Sequence, residues 1–192
     1  MARTENELPQ TPGRLCPVEQ AGLLVSPIRR LFSSPTRRLA RLVSEGDTVM
    51  DLGCGPGFFT LPLARLVGDT GRVIAVDLQE GMLSKLHDRA VQAGLDSRIT
   101  LHRSRPNGIG LPDPIDFALA YWVLHETADQ RNFLQETHDL LRPGGQFLLV
   151  ESRDEVPKVR FDTVLALAQE VGFSVVDRPW FAFSRGALLR RL

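Results

Sequence analysis

The chain has 192 residues, 43% of them hydrophobic, and its 23 Lys plus Arg balance 23 Asp plus Glu. That length and apolar content suit one domain with a substantial core. The neutral balance excludes the global basic field that draws proteins to nucleic acid, so no nucleic-acid partner is expected.

From Met1 to about Pro27 the sequence is rich in Pro and polar residues without sustained periodicity, and reads as an arm able to order over a ligand. Glu5, Asn6, Glu7 and Pro9 stand where an export signal is apolar. Cys16 and Cys54 lie far apart and match neither a disulfide framework nor a zinc spacing, so a cytoplasmic location and no metal are expected. Ile28 to Val43 is basic and apolar in helical alternation. It breaks at Ser33-Ser34-Pro35, where Ser34 caps a helix that Pro35 starts. Arg29, Arg30, Arg37, Arg38 and Arg41 read first as a solvated helix face, with contact to an acidic substrate or lipid surface as the minority reading.

Beyond this segment, Thr48 to Leu52, Arg72 to Asp77, Ile99 to Arg103, Ile115 to Tyr121 and Gln146 to Glu151 are short runs of strand character. Between them lie helical spacings such as Phe133, Leu134, Thr137, Leu140 and Leu141. Gly94 and Gly172 fit left-handed helix stops, and Pro143-Gly144-Gly145 ends a helix at Leu141 or Arg142. Strand and helix alternating in this way predict a doubly wound α/β fold around a mostly parallel sheet. The tail departs from the pattern. Phe173 to Val176 and Phe181 to Phe183 are too close for a helical crossover, so an antiparallel last strand is predicted. The longest clear apolar run, Phe117 to Leu124, falls far short of the ~20 residues of a membrane span, and no stable membrane insertion is expected.

In such a sheet the first strand-to-helix turn belongs to the ligand site, and here it is Gly53-Cys54-Gly55-Pro56-Gly57. A dinucleotide fingerprint requires two residues between its second and third glycines, whereas only Pro56 stands there. Asp51 leads into the turn, an awkward neighbour for phosphate and a useful one for an ammonium group. Asp77 ends the second strand roughly two dozen residues past Gly53, near the ~20 at which these folds present an acid to ribose hydroxyls. Ribose, a cationic amino group and no phosphate together describe S-adenosylmethionine better than NAD or ATP.

Asp51-Leu-Gly-Cys-Gly-Pro-Gly57, Val76-Asp77, Asp116 to His125 and Leu141-Arg-Pro-Gly-Gly145 resemble, in order and spacing, the motifs of class I S-adenosylmethionine-dependent methyltransferases. The resemblance runs from about Glu45 to Glu151 and is strongest to the small type 11 and ubiquinone/menaquinone-type groups. It implies a Rossmann-like, seven-stranded sheet. Residues 45–192 would form the cofactor-binding domain, and residues 1–44 an arm and helix capping the substrate. It further implies that Asp51 and the backbone of Gly53, Cys54, Gly55 and Gly57 hold the methionine part, that Asp77 holds the ribose, and that Leu78 and Met82 flank the adenine. Where the family often has Gly-Asp-Ala, this chain has Arg103-Ser104-Arg105, so Ser104 offers a hydroxyl in place of the carboxylate.

At the end of the fourth strand, Tyr121 is favoured over Trp122 as the side chain facing the donor. His125 is the candidate catalytic base, against the blander reading of a packed or capping histidine. Glu126 reads as a surface partner or helix cap, Cys54 as a small packed loop residue and Cys16 as an inert arm residue. The expected function is methyl transfer to a small-molecule acceptor. Alternatives are C-methylation of a quinone precursor at a membrane surface, a non-catalytic S-adenosylmethionine-binding regulator and, more distantly, an NAD-dependent oxidoreductase.

Overall fold

The computed structural model describes residues 17–18 and 35–192. The expectations for Cys16, Arg29, Arg30, the Ser34 cap and most of the arm fall outside the described residues.

Among the described residues, five α-helices and eight strands follow one another as α1 (Pro35–Leu39), β1 (Thr48–Leu52), α2 (Thr60–Leu66), β2 (Arg72–Asp77), α3 (Glu80–Gln92), β3 (Ile99–Arg103), β4 (Ile115–Tyr121), α4 (Gln130–Leu140), β5 (Leu141–Ser152), α5 (Lys158–Val171), β6 (Phe173–Asp177), β7 (Trp180–Phe181) and β8 (Ser184–Arg191). One sheet runs in the order β3-β2-β1-β4-β5-β8-β6, with the two-residue β7 paired to β8 off this path. Strands β1 to β5 pair in parallel, and β8 lies antiparallel between β5 and β6. The seven-stranded path is therefore the doubly wound sheet expected, reversing on either side of β1 and β4.

Side chains of a strand alternate between faces, and the core divides accordingly. On one face Val49, Phe117, Leu119 and Leu148 meet Leu63 of α2 and Leu86 of α3. On the other, Met50, Ala118, Phe147 and Leu149 meet Leu134 of α4 and Leu165 of α5. Strands buried on both sides are apolar almost throughout, which is why β1, β2 and β4 are legible as short continuous runs.

Two boundaries differ from expectation. Helix α4 ends at Leu140; Leu141 already has extended angles, and the Pro-Gly-Gly segment forms the irregular start of β5 opposite a register shift at Ile115 and Phe117. The last strand is Ser184–Arg191 rather than Phe181 to Phe183, because the chain reverses at Ala182 and Phe183 in a tight β7–β8 hairpin. The start of α4 is capped by Asp129, whose carboxylate accepts from the Asn132 N–H at 2.9 Å. Asp129→Ala is expected to lower stability by about 1 kcal/mol, read as a shift in the denaturant midpoint.

Candidate active site

The turn after β1 is shaped by close approach. Gly53 has φ +65°, and a Cβ there would lie 2.4 Å from Cγ2 of Val123, so only glycine lets the segment after β4 close against it. Gly57, at φ +84°, leaves space that Leu86 of α3 fills. The turn is tied to the end of β2: Cys54 N–H donates to the Val76 carbonyl at 3.0 Å, and Gly55 N–H donates to Oδ2 of Asp77 at 2.9 Å. Arg89 of α3 donates to the Pro56 carbonyl. The other oxygen of Asp77 accepts from Gln79 N–H at 2.9 Å, and its carbonyl accepts from Ser104 N–H at 3.1 Å. One carboxylate thus joins the ends of β1, β2 and α3.

The second half of the site follows β4. Trp122 is held at φ +61°, a strained conformation for a bulky residue. Its N–H donates to Val150 at 2.8 Å, and its indole N–H donates to Ser184 Oγ at 3.0 Å. The kink turns the chain into a short helical turn, Leu124–Glu126, whose Leu124 carbonyl accepts from the Thr127 hydroxyl and the Gln130 amide. His125 is thereby placed against the end of β5. Glu151, 1% exposed, accepts from its backbone N–H at 3.2 Å through Oε1, and Oε2 lies 2.6 Å from its Nδ1. Its Nε2 lies 3.3 Å from Oε2 of Glu155.

These two halves enclose one open cleft of about 500 Å³. Gly53, Cys54, Gly55, Asp77, Leu78, Met82, Ser104, Tyr121 and His125 all line it. Asp51 and Gly57 do not: Asp51 lies beneath the turn, where it accepts from the Thr60 hydroxyl at 2.6 Å. Tyr121 stacks on Phe59 at 4.5 Å between ring centres, and Trp122 also reaches the cleft. Sequence reasoning missed Glu151 and Glu155 and assigned Glu126 elsewhere. Glu126 lines the cleft, and the cap it was expected to supply comes from Asp129. No local pattern marks Glu151, since its place beside His125 comes from the pairing of β4 with β5.

The electrostatics are acidic. Asp77, Glu126, Asp129 and Glu155 line the cleft against Arg105 as the lysine-or-arginine cation of its wall. Burial pushes the Asp51 carboxyl up to about 7 against the pull of the Thr60 hydrogen bond, with the charge of Asp77 adding to the rise. Burial likewise raises Glu126 to about 7, His125 opposing it, and raises Asp77 against its backbone N–H partners. The Cys54 thiol is pushed well above its ordinary range by burial and by the charges of Asp51 and Asp77, which marks it as unreactive wall. Carboxyls held above their usual range favour a cationic ligand and disfavour a polyphosphate. Among the described residues, no group of three or more His, Cys, Asp or Glu is placed to hold a metal ion.

Comparison with known proteins decides the family: the sequence model of the Methyltransferase domain matches residues 49–145, from β1 to the start of β5. This chain belongs to that methyltransferase family. Among curated relatives, the ubiquinone/menaquinone biosynthesis C-methyltransferase of Enterobacter sp. (strain 638) is 30% identical over 110 residues, covering 57% of this chain and 44% of the relative. The demethylmenaquinone methyltransferase of Symbiobacterium thermophilum is 33% identical over 108 residues, covering 56% and 43%. The match thus spans less than half the length of either relative. A solved S-adenosylmethionine-dependent methyltransferase from Aquifex aeolicus shares the fold with a TM-score of 0.84 at 24% identity, covering 93% of this chain and all of that one.

The methyltransferase takes S-adenosylmethionine as its cofactor, and the wall chemistry fits that molecule. It combines a carboxylate at the end of β2, apolar surfaces at Leu78 and Met82, an exposed glycine backbone and a surplus of acids of the sign that suits a sulfonium and an ammonium.

Proposed function

We propose that the methyltransferase transfers a methyl group from S-adenosylmethionine to a small-molecule acceptor held in the same cleft. The observation that carries this is the continuity of the cleft, from the Gly53 turn and Asp77 at one end to Tyr121, His125 and Glu126 at the other. Its volume of about 500 Å³ lies in the range of small-molecule sites. The donor supplies a methyl carbon already activated on a sulfonium. The chain's residues therefore mainly hold nucleophile, carbon and sulfur in line and exclude water.

In this reading Asp77 binds the ribose hydroxyls, Leu78 and Met82 flank the adenine, and Ser104 hydrogen-bonds its edge. The backbone of Gly53, Cys54 and Gly55 lies along the methionine portion. Asp51 and Gly57 act from behind the wall, the former through its charge and the latter by seating the turn on α3. Residues 1–44 serve as the substrate cap. Val18 supports this placement, since a Cβ at Gly81 would meet its Cγ1 at 3.0 Å, next to the cleft residue Met82. Calorimetry with S-adenosylhomocysteine, competed by NAD, followed by an assay for S-adenosylhomocysteine release across a broad acceptor panel, tests the reading. Binding of NAD without the adenosyl ligand would reverse it, and adenosyl binding with no release would favour the regulator.

A second reading places the acceptor at a membrane surface, as a quinone precursor. It is supported by the named relatives and by a basic, aromatic face beside the cleft. Arg38 of α1 donates to the Trp180 carbonyl and lies over the Phe181 ring, and Phe181 in turn touches Tyr121. Trp180 and Phe183 project at 67% and 71% exposure. Such a face suits an anionic bilayer surface. No helix among the described residues is long and apolar enough to cross a membrane. Co-sedimentation with vesicles containing anionic lipid is expected, reduced in Trp180→Ser/Phe183→Ser. Absence of the wild-type protein from the pellet counts against this reading.

A further inference from the structure

Resting on the transferase reading, we propose that Glu151 fixes His125 with Nε2 toward the cleft as a general base, so that the acceptor is an O–H or acidic C–H compound whose proton must leave. Three observations converge. Both oxygens of the buried Glu151 are committed to His125, one to its backbone N–H and one to Nδ1. A carboxylate at Nδ1 makes that nitrogen the donor and leaves Nε2 as the proton-accepting site once the ring is neutral. His125 itself lines the cleft with Tyr121 and Glu126, and its Nε2 faces the exposed Glu155 carboxylate at 3.3 Å, which a nucleophile held there displaces to reach that nitrogen.

The step balances without another reactant. The acceptor's O–H or C–H proton passes to Nε2, and the electron pair left behind forms the bond to the methyl carbon. The carbon–sulfur bond breaks, its pair returning to sulfur as a neutral thioether. The imidazolium formed is held by the Glu151 oxygen at Nδ1 and discharges its proton to solvent at the open side of the cleft.

The charges facing the ring are Glu151 on β5, Glu155 in the segment after it and Glu126 beside it. Burial disfavours the imidazolium, but the Glu151 hydrogen bond and the three carboxylates outweigh it and raise the pKa above its ordinary value of 6.5. The base form is therefore populated only above that raised value, and turnover should rise with pH through it. Glu155 is a positioning residue whose charge sets where the rise occurs.

The test reads both the imidazole and turnover. In histidine-resolved NMR of the apo protein, the His125 midpoint is expected above 6.5. It should fall by roughly 0.5 to 1 pH unit in Glu155→Gln, with a further fall in Glu151→Gln. The acidic limb of kcat should move down in step in Glu155→Gln. His125→Gln should lose about 10²- to 10⁴-fold in kcat with S-adenosylhomocysteine affinity retained. The panel should show turnover of phenols, enols or carbon acids and not of thiols or tertiary amines alone. A His125 midpoint insensitive to both glutamate variants, or His125→Gln within twofold of wild type, overturns the dyad. If Glu151→Gln does not fold, the exposed Glu155 keeps the test. Failure to bind the donor defeats the transferase reading while leaving the imidazole titration readable.

Discussion

Asp77→Ala is expected to weaken S-adenosylhomocysteine binding by roughly 5- to 150-fold, about 1–3 kcal/mol, in a calorimetric titration. Two losses combine in this number. In the proposed donor pose the ribose hydroxyls lose their acceptor, and the Gly55 and Gln79 N–H groups lose the carboxylate that holds the turn to α3. Asp77→Asn is not a mild control, because each carboxylate oxygen faces an N–H and the amide places its own NH₂ against one of them. Unchanged affinity in an Asp77→Ala protein with intact thermal unfolding would remove Asp77 from the donor site.

Asp51→Asn is expected to change stability with a definite pH signature. In the unfolded chain this carboxyl ionises at its ordinary 3.8, whereas in the folded apo protein burial holds it protonated to about 7. Between those values the unfolded state binds fewer protons, so the contribution of Asp51 to stability is full below about 4 and is lost as pH rises through about 7. Asn carries no such loss and still accepts from Thr60. The variant should match wild type near pH 4 and exceed it above pH 7 by on the order of 1–4 kcal/mol in denaturant unfolding. It should also bind the cationic donor less tightly, because the charge beneath the Gly53 turn is gone. Equal stability at both pH values would show that Asp51 is ionised in the folded apo protein.

Much of the parallel half of the fold was legible because β1, β2 and β4 are buried on both faces and the edge strand β3 still carries Ile99 and Leu101 in alternation. Thr48 to Leu52, Arg72 to Asp77, Ile99 to Arg103 and Ile115 to Tyr121 were read with the bounds they adopt. Strand β8 was not. Its apolar stretch is only Ala187, Leu188 and Leu189, with arginines on either side, and Gly186 reads as a breaker. In the structure Gly186 is required by the Phe181 ring and the Pro179 carbonyl, which a Cβ would approach to 2.6 and 2.9 Å. The preceding Phe-Ala-Phe carried a stronger strand signal than the strand itself.

At the site, the cleft wall at Gly53, Gly55 and Asp77 was legible because glycine spacing and strand-end acids are local patterns. The environment of His125 was not, because it depends on β4 and β5 lying side by side, with Tyr121 opposite Val150 and Glu151 next in register. A sequence places His125 and Glu151 far apart; only strand pairing makes them neighbours. Asp51 illustrates a different limit: its identity was readable, but its depth beneath the turn depends on Thr60 and α2.

The insertion of β8 between β5 and β6 also constrains synthesis from the N-terminus. Strands β1 to β4 and the cofactor turn can assemble once β4 has been made, since each has its neighbour already in place. Strand β5 then presents a bare, apolar edge, and β6 has no partner in the sheet until β8 leaves the ribosome. A nascent chain arrested between these points exposes unpaired backbone beside the Gly53 turn. Chaperone demand on this protein should therefore concentrate in the last stretch of translation.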